Sequence, residues 1–251
     1  MKASVYLLLL SGVALIPASR LVSQTGSEAV SEIAHAPDGG IAQHVEGITV
    51  TAIPGAPFTA KEIVKITSNL QDGTVVEQKY FAMIVRDRQG RVYRETRGKV
   101  PFNSDREPHL FNTFVNDPKT GTRTTCTGAT RTCVVASWHP VLHRAEEQVG
   151  PSKDGMSYLT REDMGRSTID GLEVIDTQET RTYNAGAFGN NRDVAVTKRY
   201  WYAPQLQVNL AVNRHDPRIA DQDLQLTELN VSEPDPAWFA IPDGFRVVHE
   251  R

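Results

Sequence analysis

A mainly β fold, built on one curved antiparallel sheet of about ten strands with short helices, is what this sequence predicts. Three observations predict it. The 251 residues include 18 Gly and 14 Pro, many in turn-like clusters, which suits frequent chain reversals better than a helical bundle. The stretch Leu206-Gln-Val208-Asn-Leu210-Ala-Val212-Asn213 alternates apolar with polar or small residues at period two, as a strand with one packed and one solvated face does. Strand-like runs also follow one another through hairpin-length connections. The helical segments of roughly 10–15 residues that a βαβ fold would interleave are missing.

The chain opens with Lys2 and an apolar run from Val5 to Ile16, followed by the small residues Ala18, Ser19 and Ser23. The run is too short for the roughly 20 residues that span a bilayer as a helix, so residues 1–23 read as a secretory signal peptide. No later stretch approaches a span, and the mature chain is expected to be periplasmic or secreted. Residues 24–57 are rich in Gly, Ala, Pro and Ser and read as a flexible N-terminal arm, with a short helix around Ser27–His35. The β-rich domain then runs over 58–251.

Its first strand covers Thr59 to Leu70, and Asp72-Gly73 marks the hairpin into Val75 to Arg86. That second strand is apolar on both faces around Tyr80-Phe81-Ala82-Met83-Ile84-Val85, so it needs cover on each side, from plugs or from a ligand. Asp87-Arg88-Gln89-Gly90 turns the chain into Arg91 to Arg97. His109 to Asn116, Thr122 to Cys126 and Cys133 to Trp138 continue the meander. Residues 140–168 are mixed, with a short helix expected near Thr160–Met164. Leu172 to Tyr183, Val194 to Tyr202, Leu206 to Arg214 and Asp221 to Val231 complete the strands. The apolar phase slips between Leu224/Leu226 and Leu229/Val231, which predicts a β-bulge.

A net charge of −3 gives no basic excess to attract nucleic acid. The only cysteines, Cys126 and Cys133, flank a turn-like Gly128–Arg131. If that turn forms, Thr127 opposes Thr132 and Cys126 falls opposite Cys133, within disulfide reach. This favours a cross-strand disulfide over an idle reduced pair, and over a redox or metal pair, whose spacings differ. His139 and His143 could approach each other, but Pro140 opposes the helix that metal ligation at i, i+4 requires, and no metal site is predicted. Nucleophile elbows, zinc-protease motifs and phosphate or dinucleotide loops are all missing from the sequence, so it predicts neither catalytic residues nor a cofactor, and not an enzyme. Two features remain. The loop Asn184–Asn191 carries Phe188 at its middle and reads either as a lid or as a plain hairpin loop. Tyr200-Trp201-Tyr202 line either a cavity or the core.

The segments Arg199–Leu206, His215-Asp-Pro-Arg218 and Glu233–Phe245 resemble a group of exported bacterial proteins of acidobacterial type. The ending, an aromatic followed by Ile241-Pro-Asp-Gly244, is similar to the LolA/LolB outer-membrane lipoprotein-sorting superfamily. The lipoprotein Cys of the receptor branch has no counterpart here. The resemblance implies an unclosed β-barrel whose cavity binds a lipid, lipoprotein or other apolar partner. Tyr80, Met83, Phe188, Tyr200, Trp201 and Tyr202 are the candidate ligand-binding residues. The alternative is an interaction or sensor module that binds an envelope protein on the same concave face.

Overall fold

In the computed structural model, residues 47–140 and 147–250 are described, all within the unit Val45–Arg251. The signal peptide, the Ser27–His35 helix and His143 lie outside the described residues. Among the described residues, fourteen strands form one curved sheet that does not close into a barrel. They are β1 (Phe58–Asn69), β2 (Val75–Arg86), β3 (Val92–Arg97), β4 (Val100–Pro101), β5 (Leu110–Asp117), β6 (Thr122–Thr127), β7 (Thr132–Ser137), β8 (Gly150–Pro151), β9 (Ser157–Ile169), β10 (Leu172–Tyr183), β11 (Val194–Ala203), β12 (Val208–His215), β13 (Asp221–Asn230) and β14 (Arg246–His249). The count exceeds ten because β4, β8 and β14 are short pieces without a readable period, and because β9 is a strand.

The order across the sheet is β14-β7-β6-β5-β3-β2-β1-β13-β12-β11-β10-β9-β8, with β4 pairing β2 off this path. Two meanders are thus joined where β1 pairs with β13, which brings the first and last long strands together at the centre. Pairing is antiparallel except at one edge. There the connection after β13, carrying a 3-10 helix at Pro236–Phe239, delivers β14 parallel to β7.

Alternation explains which residues are inside. In β1 the even positions Phe58, Ala60, Glu62, Val64 and Ile66 are all buried, and in β2 Tyr80, Ala82, Ile84 and Arg86 lie opposite them. The core joins this face to Leu224 and Leu226 of β13, Val208 and Leu210 of β12, Ala203 of β11 and Leu172 and Val174 of β10. It also takes in residues N-terminal to Phe58. Ile48 is 2% exposed, Ala56 is buried, and Val50 and Ile53 pack against the cluster. Gly90, in the β2–β3 turn with φ +86°, permits this approach: a Cβ there would stand 2.8 Å from the Ile53 carbonyl carbon.

Several expectations meet the structure directly. Cys126 pairs with Cys133 and Thr127 with Thr132 in the β6–β7 register, and the disulfide is formed. The phase slip in β13 is a β-bulge: the β1–β13 register shifts between Thr59 and Lys61, and Glu228 has φ +54°. Thr160–Met164, expected as a helix, is the middle of β9. The run Thr160-Arg-Glu-Asp-Met164 holds good helix formers, but pairing with β10 across twelve register positions overrides propensity. β12 begins at Val208, not Leu206; Leu206 is buried in the preceding turn, beside Gln207 at φ +50°.

Candidate functional site

The buried polar contacts of the candidate site gather on the face of the sheet that carries Phe58, Glu62, Tyr80 and Ile84. An extended segment, 47–52, lies against this face, and buried charges hold it there. Glu62, fully buried, accepts from the Ile48 N–H and from the Arg94 guanidinium, and Arg94 also donates to the Ile48 carbonyl at 2.6 Å. Gly47 is needed beside this pair, because a Cβ there would fall 1.8 Å from an Arg94 nitrogen. Arg86, also fully buried, donates to the carbonyls of Ala56 at 2.7 Å, of Thr51 at 3.0 Å, and of Leu206. Its guanidinium lies 5.0 Å from the Phe58 ring, and burial pushes its pKa down to about 10, so it stays charged at neutral pH.

Two clefts border this arrangement, and a third adjoins the second. The first, of about 310 Å³, lies between segment 47–52 and strands β2, β3, β5 and β6; its walls include Ile48, Val50, Ile84, Val92, Phe114 and Trp138. Arg94 and Arg123 provide its polar edge, and Arg123 is fixed by Asn116 Oδ1 at 2.7 Å. The second, of about 210 Å³, flanks the other side of the same segment and is lined by Ile48, Tyr200, Val212, Leu224, Asn209 and Gln222. Lys198 and Arg214 belong both to its wall and to that of a third cleft of about 120 Å³, which adds Leu159, Arg181, Tyr183, Val196 and Arg218. These clefts sit at or below the lower end of the roughly 300–1,000 Å³ typical of small-molecule sites.

The structure scatters the sequence-predicted residues. Tyr200 lines the second cleft. Tyr202 is half-buried and borders none of these clefts, whereas Trp201 packs against the core and has the Arg199 guanidinium 4.8 Å from its ring. Tyr80 is buried in the core opposite Val64, and burial, with the nearby Glu62 carboxylate, raises its phenol pKa. Met83 is half-buried on the opposite face of β2 and borders none of these clefts. Phe188, 48% exposed, stacks edge-on against Tyr183 at 5.6 Å with Arg218 over both rings, beside the third cleft. The loop around Phe188 is a hairpin connection tied within itself, Asn190 bonding Asn184 and Arg192 carbonyls.

Asn209 and Val212, expected on opposite faces, line one cleft together. The β11–β12 register shifts between Trp201 and Tyr202, and this resets the alternation around Leu210. Sequence reasoning missed Glu62, Arg86, Arg94, Lys198 and Arg214. A signal was present for two of them: Glu62 and Arg86 share the even positions of β1 and β2 with the apolar Phe58, Ala60, Val64, Ile66, Tyr80, Ala82 and Ile84.

No family model matches the chain, and no curated protein matches it. Among solved structures it is similar to LprF from Mycobacterium bovis, with 16% identity over 72% of this chain and 90% of that one and a TM-score of 0.28. It is also similar to a LolA superfamily protein from Nitrosomonas europaea, with 10% identity over 76% and 98% and a TM-score of 0.30. A DUF1329 family protein from Desulfovibrio piger gives 8% identity over 74% and 90% and a TM-score of 0.23. LolA superfamily proteins are thus among the solved structures the chain is similar to. Among the described residues no helix is long and apolar enough to cross a membrane.

Proposed function

We propose that the chain is an exported, non-enzymatic binding protein that takes a lipid, the acyl part of a lipoprotein or another apolar ligand in the clefts of its concave sheet face. The observation that carries this reading is the cleft of about 310 Å³ walled by Ile48, Val50, Ile84, Val92, Phe114 and Trp138. Apolar walls with a few fixed polar groups at the edge are the usual make-up of a small-molecule site. The volume suits a single short chain or a compact apolar molecule. A ligand with several acyl chains would have to displace segment 47–52, which is held by hydrogen bonds rather than covalently. Export agrees with the N-terminal signal-like sequence and with the Cys126–Cys133 disulfide, since such bonds persist in oxidising compartments.

One observation favours the alternative, a peptide or protein partner. The same face already holds an extended piece of backbone through Glu62, Arg86 and Arg94.

The test is titration with the neutral fluorophore N-phenyl-1-naphthylamine. Saturable binding with one site per chain is expected, and Thr49→Trp should weaken it, because exposed Thr49 borders both clefts. Failure to saturate, or equal binding by the variant, would count against an apolar site here.

A further inference from the structure

The first cleft carries two guanidinium groups at its edge, and their surroundings differ. Arg94 is engaged on both sides: it meets the Glu62 carboxylate and donates to the Ile48 carbonyl at 2.6 Å. Arg123, on β6, donates through Nε alone, to Asn116 Oδ1 at 2.7 Å. Among the described residues its terminal nitrogens have no acceptor, and no carboxylate pairs with it. Asp117, next to Asn116 on β5, is turned to its own loop and accepts from the Lys119 and Thr120 N–H groups at 2.8 and 3.2 Å. The contrast with the rest of the sheet is plain. Arg91, Arg97, Arg166, Arg199 and Arg218 each hold a carboxylate through Nε or a terminal nitrogen.

Although unpaired, Arg123 is held in place. Asn116 lies directly across from it in the β5–β6 register and is buried, so the acceptor that fixes Nε is itself immobile. The guanidinium also stands 5.4 Å from the Phe114 ring and 6.0 Å from the Trp138 ring, both of which wall the cleft. Aromatic faces and one bond through Nε orient a guanidinium plane without engaging its outer fork of N–H groups. That fork is the part that meets a carboxylate or phosphate with two parallel hydrogen bonds. Behind it the wall turns apolar, through Val92, Ile84, Val50 and Ile48. A fixed cation with a free fork thus stands at the rim of an apolar cleft.

We infer that the first cleft takes an anionic amphiphile, whose carboxylate or phosphate is held by the outer fork of Arg123 and whose chain lies against Ile48, Val50, Ile84 and Val92. The placing of the chain rests on the apolar-ligand reading; the placing of the head rests on Arg123, so the two can fail separately. Arg123 is exposed, and solvent screening limits such a contact to about a five- to tenfold gain in affinity.

Calorimetric titration of the whole chain at low ionic strength, with octanoate, octyl phosphate, 1-octanol and acetate, separates the possibilities. At least one of the two eight-carbon anions should bind about five- to tenfold more tightly than 1-octanol, and whichever does identifies the head. Arg123→Gln should remove that advantage and leave 1-octanol unchanged. Asn116→Asp should remove it too, by giving the guanidinium a carboxylate of the protein's own. Circular dichroism melts matching the parent confirm that Arg123→Gln, an exposed substitution, is folded. Equal binding of the anions and 1-octanol, or an anion advantage that survives Arg123→Gln, would overturn the head-group site while leaving the apolar reading intact. Acetate binding as tightly as octanoate, with 1-octanol silent, would keep an anion site and overturn the amphiphile. No binding of any probe would overturn both.

Discussion

Replacing Glu62 by Ala removes the one carboxylate among the described residues that pairs with Arg94, and with it the acceptor for the Ile48 N–H. Two responses are open to the protein, and the less costly one sets the loss. If segment 47–52 stays in place, Arg94 is left as a poorly solvated cation and the Ile48 amide is orphaned; breaking a buried ion pair in this way costs roughly 3–5 kcal/mol. If the segment lifts, water reaches Arg94, but the burial of Ile48 is forfeited, about 1.5–3 kcal/mol, together with the Arg86–Thr51 hydrogen bond, about 1–3 kcal/mol. Both routes lead to a loss of about 3 kcal/mol, or a fall in Tm of roughly 6–12 °C for a domain of this size. Because lifting is local, it should show first as lost amide-exchange protection at Ile48 and its neighbours, while the β1–β2 amides remain protected. The double variant Glu62→Met/Arg94→Met should recover much of the stability, since replacing both partners leaves no stranded charge. Urea denaturation and hydrogen exchange read these outcomes. A loss below about 1 kcal/mol with unchanged Ile48 protection would refute the argument that this pair holds the segment.

Other consequences are separately measurable. Cys126→Ser should cost at most about 2.5 kcal/mol without unfolding the domain, because the closed loop is short and the sheet supplies most of the burial; chemical denaturation checks this. Leu210 is 0% exposed, so Leu210→Asp buries a carboxylate without a partner and should abolish soluble expression, whereas Leu210→Ala should cost roughly 2–5 kcal/mol and remain soluble. The hydrogen bond from Arg218 holds the Asp216 carboxyl below its ordinary pKa. A lowered folded-state pKa gives stability that is fully present above the unfolded value, about 3.9, and is lost as pH falls through the folded one. Between pH 5 and strongly acid conditions the parent should therefore lose more stability than Arg218→Gln; parallel curves would contradict the pairing.

How far the sequence discloses this structure depends on whether a feature is local. The Asp72-Gly73 hairpin, the Cys126–Cys133 register and the β13 bulge are set by turn residues and by phase within a few positions, and they were legible. Met164 and its neighbours were misread as a helix because their β character comes from β10, not from themselves. The charges that hold segment 47–52 were hidden for a different reason. Glu62 and Arg94 become partners only because β1, β2 and β3 are adjacent, a separation of 32 residues that no local period records. Lys198 and Arg214 likewise meet only through the β11–β12 pairing, 16 positions apart in a chain where each alone reads as an ordinary solvated cation. The aromatic candidates show the opposite error. Tyr200-Trp201-Tyr202 draws attention as a cluster, yet of the three only Tyr200 lines one of these clefts, while Trp201 packs against the core.

The central claim, that an apolar ligand occupies the concave clefts, is most directly tested by methyl NMR during titration with octyl phosphate. Saturating shifts should concentrate on Ile48, Val50, Ile84, Val212 and Leu224, which border the first and second clefts. Methyls at the exposed β1–β2 tip, Leu70, Val75 and Val76, should stay still. Shifts confined to that tip, or absent from the cleft methyls at saturation, would contradict the account.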